Sequence, residues 1–211
     1  MQKLITSIPG YRVYEYLLVI NPHEDLRNQI QTIKQDFAEK YKAPSTFYTN
    51  PNIPLVQFFA FEMTQVRILN RLGTIAMGIT PFKVELNDFG SFPTHTIYVN
   101  VTTKVPIQEV VRELKSAQGL MTLNKEHKPH FIEESHLTIC RQLKPWQYEQ
   151  GWLEYSHRHF SGRFIADNMV LLKRPAGEKG YRAIMRFDFQ NLPVGIKQGN
   201  LFGPLSPGGG T

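Results

Sequence analysis

An order of elements that occurs twice limits the folds open to this chain. Val13 to Ile20 is rich in Val, Ile, Tyr and Leu and reads as a buried strand. Asn21, Pro22 and Glu24 then open a helix. Asn caps it, Pro suits its first position, and Glu follows three residues after the cap. Leu26, Ile30, Ile33 and Phe37 recur at helical spacing. After a Pro- and Asn-rich loop, Ala43 to Pro54, come a strand from Leu55 to Phe61 and a helix from about Thr64 to Met77. That helix carries Val66, Leu69, Leu72 and Ile75 at a spacing of three. Strands near Phe82 to Phe89 and Thr96 to Thr102 follow. The pattern then restarts. A helix opens at Pro106 and buries Ile107, Val110, Val111 and Leu114. A strand, Ser135 to Leu143, leads to a helix from Pro145 to Tyr155 and to strands near Phe164 to Lys173 and Tyr181 to Phe189.

The offset between the two passes is nearly constant. Leu26 and Ile30 match Ile107 and Val111 at a shift of 81 residues, Leu55 matches His136 at 81, and Phe82 matches Phe164 at 82. Such a duplication predicts an α+β fold with two lobes about a pseudo-twofold axis, two antiparallel sheets lining a central groove and helices outside. The whole chain, 1–211, is then a single two-lobed domain. Residues from about 11–95 form the first lobe, about 96–190 the second, and the Gly- and Pro-rich 192–211 an irregular tail. A groove between two lobes is the natural place for a site.

Composition narrows the function. The longest uninterrupted apolar run, Tyr16 to Ile20, is too short to cross a bilayer. No long apolar region marks a secretory signal in Met1 to Gly10. One cysteine, Cys140, excludes an internal disulfide framework and a multi-cysteine zinc site, and fits a reducing cytoplasm. The formal charge of +6 is spread along the chain and is compatible with a polyanionic partner. No glycine-rich phosphate loop points to a nucleoside triphosphate enzyme.

The segment Glu134-Ser135-His136-Leu137-Thr138-Ile139-Cys140 is the best candidate for chemistry. In a regular strand His136, Thr138 and Cys140 share one face, with Arg141 on the other. His136 offers an acid or base near neutral pH. Thr138 beside it offers a hydroxyl to a phosphate oxygen. The same pattern also reads as a half-buried strand whose His and Thr simply face water.

Together with the order of elements, the signature His136-Leu137-Thr138-Ile139 resembles the two-histidine phosphoesterases, which include the 2′-5′ RNA ligase-like proteins and the RNA 2′,3′-cyclic phosphodiesterases. The resemblance spans about residues 11–190. It implies a bilobal protein with one His-x-Thr/Ser-x motif on the central strand of each lobe. Two histidines then flank a phosphate, one taking a proton and one giving it, without a metal or another cofactor. Carried over, His136 and Thr138 match the second motif. The first motif departs from the pattern. A shift of 81 puts Leu55 and Gln57 at its histidine and hydroxyl, and a shift of 82 puts Pro54 and Val56 there.

The ligand implied is an RNA end or a small nucleotide with a 2′,3′-cyclic or 2′-5′ phosphodiester. Turnover is expected to be impaired, because one of two proton-transfer groups is missing. The alternative is a catalytically inactive nucleotide- or RNA-binding or interaction protein on the same fold. His95 and His130 are the residues placed to compensate. Arg182 and Arg186, with Lys173 and Arg174, are candidate phosphate contacts. No membrane partner is expected. Substrate identity, and ligation against hydrolysis, stay open.

Overall fold

The computed structural model describes residues 12–43 and 50–192. Among these residues nine strands and five α-helices follow in chain order: β1 Val13–Ile20, α1 Glu24–Lys40, β2 Ile53–Phe61, α2 Gln65–Gly78, β3 Phe82–Phe92, β4 Thr96–Val101, α3 Val105–Leu114, α4 Gln118–Met121, β5 His130–Phe131, β6 His136–Arg141, α5 Pro145–Tyr155, β7 Ser161–Ala166, β8 Asn168–Pro175 and β9 Arg182–Asp188. The irregular tail expected from residue 192 lies, from 193 onward, outside the described residues.

Two antiparallel sheets carry the fold. One has the order β5-β2-β1-β8-β9 and the other β6-β4-β3-β7. Leaving aside two-residue β5, each sheet reads motif strand, first strand, then two more. The α+β, pseudo-twofold expectation therefore holds. The split at residue 95 does not follow the sheets. Apart from β5 at 130–131, sheet one draws on 13–61 and on 168–188, and sheet two on 82–166. The physical reason is strand exchange: β8 returns to pair with β1 and carries β9 on its outer side, while β3 leaves its own half to pair with β4 and β7. The single long strand expected over Phe164–Lys173 is likewise two strands in different sheets, broken at Asp167.

Helices cover the outer faces. Along β1, Tyr16, Leu18 and Ile20 are buried, and Tyr16 stacks on Phe58 and donates its hydroxyl to Gln65 of α2. Helix α1 turns Leu26, Ile30, Lys34 and Phe37 inward and packs on β6. Each such buried apolar side chain contributes about 1.5–3 kcal/mol. In α2 the buried stripe is Ile68, Leu72, Ile75 and Ala76, while Val66 is 65% exposed. A strict spacing of three drifts off one face of a helix with 3.6 residues per turn, so the stripe expected from Val66 onward is misplaced at its start.

Two β-bulges decide what reaches the groove. On β2 the pairing with β1 runs Leu18↔Val56 and then Val19↔Pro54, which leaves Leu55 extra. On β6 the pairing with β4 runs Tyr98↔Thr138 and then Ile97↔Cys140, which leaves Ile139 extra. An extra residue shifts the alternation by one position. Leu55 and Val56 are both fully buried, and Ile139 and Cys140 nearly so.

Candidate functional site

The groove face of the first sheet follows from its register. Glu15, Leu17 and Val19 of β1 pair with Phe59, Gln57 and Pro54 of β2 and with Arg174, Leu172 and Val170 of β8. Directly paired residues share a face, which puts Glu15, Gln57 and Arg174 together. Glu15 is only 4% exposed. A buried carboxylate needs partners, and it has three. The Gln57 amide donates to it, the Tyr181 hydroxyl donates at 2.7 Å, and Arg174 donates Nε at 2.8 Å and approaches with Nη2 at 2.6 Å. Arg174 also lies over the Tyr181 ring at 4.4 Å. Burial, helped by the Glu15 acceptor, pushes the Tyr181 phenol well above its ordinary value, so it remains a donor.

The second sheet presents a different surface. His136, Thr138 and Arg141 pair with Asn100, Tyr98 and Thr96. The His136 ring stands 5.1 Å from Phe92 and 5.0 Å from Tyr98, centroid to centroid. Gly90 lets Tyr98 lie there, because a Cβ at that position would meet the Tyr98 ring at 2.5 Å. His136 Nδ1 donates to the Glu134 carbonyl at 3.0 Å. A carbonyl only accepts, so this bond fixes the tautomer and leaves Nε2 for a ligand. The two motif strands, β2 and β6, contact each other where the sheets meet. Their place in the sheets is less central than expected, since β6 is an edge strand and β2 is flanked outside only by two-residue β5.

Several sequence-derived expectations change. Leu55 and Gln57 do not share a face: the bulge turns Leu55 into the core and leaves Gln57 on the groove face. In the alternative register, Pro54 reaches the groove face and Val56 does not. Cys140 leaves the His136 face for the core and Arg141 joins that face, the reverse of a regular strand. His95 sits in the turn before β4, with its Nδ1 at 2.7 Å from the Thr96 hydroxyl. His136 pairs with Asn100, five residues along that strand and about 16 Å away. His130 pairs directly with Gln57, so its ring is on the groove face.

Among the arginines, Arg182 pairs with Lys173, on the α2 side and away from the groove. Arg186 pairs with Val170 on the groove face, but Asp188 holds its Nε at 2.7 Å. Lys173 is a structural cation, 3% exposed, bonded to Gln65 at 2.6 Å and lying 3.6 Å over the Tyr14 ring. The Glu15 cluster escapes a reading of the sequence. Its one signal there is a lone acid inside the apolar strand Val13–Ile20.

No helix among the described residues is long and apolar enough to cross a membrane. Among curated proteins no sequence matches. Solved structures do match in fold. E. coli LigT in apo form gives a TM-score of 0.58 at 14% identity, covering 84% of this chain and 98% of that one. The TT0787 protein of Thermus thermophilus gives 0.58 at 14%, covering 83% and 98%. E. coli LigT complexed with 3′-AMP gives 0.54 at 12%, covering 84% and 98%. A family model matches residues 22–178, about three quarters of the sequence, and the chain belongs to the family it describes, the 2′-5′ RNA ligase superfamily.

Proposed function

We propose that the groove binds the phosphate of an RNA end or small nucleotide bearing a 2′,3′-cyclic or 2′-5′ phosphodiester, and that the chain turns such a substrate over slowly or not at all. The binding half is His136 Nε2 with the Thr138 hydroxyl. Both are donors to phosphate oxygens when the imidazole is protonated. E. coli LigT has been solved with 3′-AMP, ATP, NADP+ and phosphate, which supports a nucleotide phosphate as the ligand class. The family resemblance supports the cyclic or 2′-5′ linkage. We place the protein in the cytoplasm, where its one thiol stays reduced.

One observation carries the slow-turnover reading. Of Leu55 and Gln57, the one that faces the groove is Gln57, and its amide is committed to Glu15. Hydrolysis of a cyclic phosphate needs a proton taken from the attacking water and a proton given to the leaving ribose oxygen. His136 performs one of these transfers. The other lacks an imidazole from β2, and such assistance is typically worth about 10²- to 10⁴-fold.

A second reading has its own observation. His130 lies directly across from Gln57, one strand spacing away, and offers a ring where β2 offers none. An assay of 2′,3′-cyclic nucleotide hydrolysis at neutral pH separates the two. The first reading expects binding that His136→Ala weakens, with turnover far below the usual 1–10³ per second or so. Ordinary enzyme rates that collapse in His130→Ala establish the second reading. Absence of nucleotide binding, or binding indifferent to His136→Ala, overturns both.

A further inference from the structure

An unspent amide stands beside His136. On β4, Ile97, Val99 and Val101 are buried, and the alternation turns Tyr98 and Asn100 to the groove face. Asn100 pairs directly with His136, so the two side chains leave the sheet as neighbours, with Cβ atoms about 4.5–5.5 Å apart. Thr138 follows His136 by two residues and pairs with Tyr98. The side chains of Asn100, His136 and Thr138 thus start from one patch about 8 Å across.

Gly90 on β3 keeps the space for that amide. A Cβ there would meet the Asn100 side-chain oxygen at 2.5 Å, as well as the Tyr98 ring. Asn100 is half-buried, and no hydrogen bond holds its amide among the described residues. The contrast with the other sheet is direct. Gln57 faces His130 across one strand spacing just as Asn100 faces His136, but the Gln57 amide is spent on Glu15.

The chemistry suits an anion. A side-chain amide carries two N–H donors and does not ionise, so it donates whatever the state of the imidazole. A phosphodiester presents two non-bridging oxygens, each with more than one lone pair. One ring nitrogen and one hydroxyl leave acceptor sites unfilled, and a neighbouring amide fills one. The charged groups around the patch are Glu134, whose carboxylate acts on the Tyr98 phenol, and Arg141, which shares the His136 face. An anion held close to the Glu134 carboxylate needs directed donors, not net charge alone.

We propose that Asn100 is a third contact of the ligand phosphate, donating its side-chain amide to a non-bridging oxygen beside His136. The proposal rests on the reading of His136 and Thr138 as the phosphate site. The test is the dissociation constant of adenosine 2′,3′-cyclic phosphate, followed by NMR titration, in the wild type, His136→Ala, Asn100→Ala, Asn100→Asp and the double variant His136→Ala with Asn100→Ala. Each variant is checked for folding by thermal melting. Asn100→Ala should weaken binding by about tenfold or more, as one hydrogen bond to a charged group gives. Asn100→Asp keeps the shape but turns a donor into an anion, so it should lose more. The double variant should bind more weakly than His136→Ala alone, because the amide reaches the ligand without the ring. If folded Asn100→Ala and Asn100→Asp bind like the wild type while His136→Ala does not, the Asn100 contact is overturned and the phosphate site stands. If the double variant binds no more weakly than His136→Ala, Asn100 acts only through the ring, and the contact is again overturned. If the wild type does not bind the probe, or His136→Ala binds it equally well, the phosphate site fails and Asn100 with it.

Discussion

The two motif strands meet the groove with opposite strategies. On β6, His136 is held by one backbone hydrogen bond and two aromatic neighbours, with Nε2 left over. On β2, Gln57 is tied into a lattice of Glu15, Arg174 and Tyr181 whose polar groups satisfy one another. The first half leaves a ring nitrogen unspent, which is what the proposed phosphate site requires. The second is built to stay as it is, because separating Arg174 from Glu15 would strand a buried charge and moving Gln57 or Tyr181 would remove one of its donors. On the proposed reading, the second sheet offers the groove a titratable group and the first presents a fixed polar wall.

The largest expected effect comes from breaking that wall. Glu15→Ala leaves Arg174, Gln57 and Tyr181 without their shared acceptor, and loss of one partner from a buried ion pair is worth about 3–5 kcal/mol. Denaturant unfolding should show a loss of that size. A change below about 1 kcal/mol would mean that water already satisfies these groups.

Next is Leu55→His. A sequence-based view makes it a restoration of the missing motif. The bulge makes it a burial of an imidazole at a fully covered position, with a destabilisation of about 2–4 kcal/mol and no gain in hydrolysis. Pro54→His, on the groove face, should fold nearly as well as the wild type. Activation by Leu55→His in a stable protein would show that the β2 register is wrong.

A smaller effect sharpens the contrast from beneath β6. Burial lowers the Lys34 ammonium to about 8 from its ordinary 10.5, with the nearby Arg141 charge adding to the shift and Cys140 opposing it. Between those values the unfolded chain holds more protons than the fold, so stability rises with pH there, by at most about 1.4 kcal/mol per pH unit. The slope is best read below pH 10.0, where unfolded tyrosines begin to titrate while burial keeps Tyr16 and Tyr181 protonated in the fold. Lys34→Met should flatten it. An unchanged slope would assign it elsewhere.

The smallest effect on stability is expected at Thr138→Val. No side-chain partner holds the Thr138 hydroxyl among the described residues, so unfolding should shift by less than about 0.5 kcal/mol. Affinity for inorganic phosphate should nevertheless fall several-fold. The reverse pattern, a stability loss with unchanged affinity, would make Thr138 a packing residue.

Much of the fold is legible in the sequence because local patterns set it. Val13 to Ile20 is the strand the composition predicts, and Pro145 opens α5 where the sequence places it. Leu26, Ile30 and Phe37 mark the buried face of α1, although Ile33 of the expected stripe is only half-buried and Lys34, which an apolar pattern passes over, is 3% exposed. What escapes is non-local. A bulge is an extra residue against a partner strand, so neither the core placement of Leu55 nor the groove placement of Arg141 is visible in one strand's alternation. The exchange of β3, β8 and β9 between sheets depends on pairings far apart in the chain. Of the site, His136 and Thr138 are read from their spacing and His130 from its loop, whereas Glu15 needs three partners from β2, β8 and the turn before β9 to acquire meaning.

The most direct test of the contrast between the lobes is a crystal structure of the wild-type protein soaked with a 2′,3′-cyclic nucleotide analogue. The phosphate is expected within hydrogen-bonding distance of His136 Nε2 and the Thr138 hydroxyl, with the Gln57 amide still on Glu15. A phosphate bound away from β6, or a Gln57 that has left Glu15 to hold it, would contradict the account.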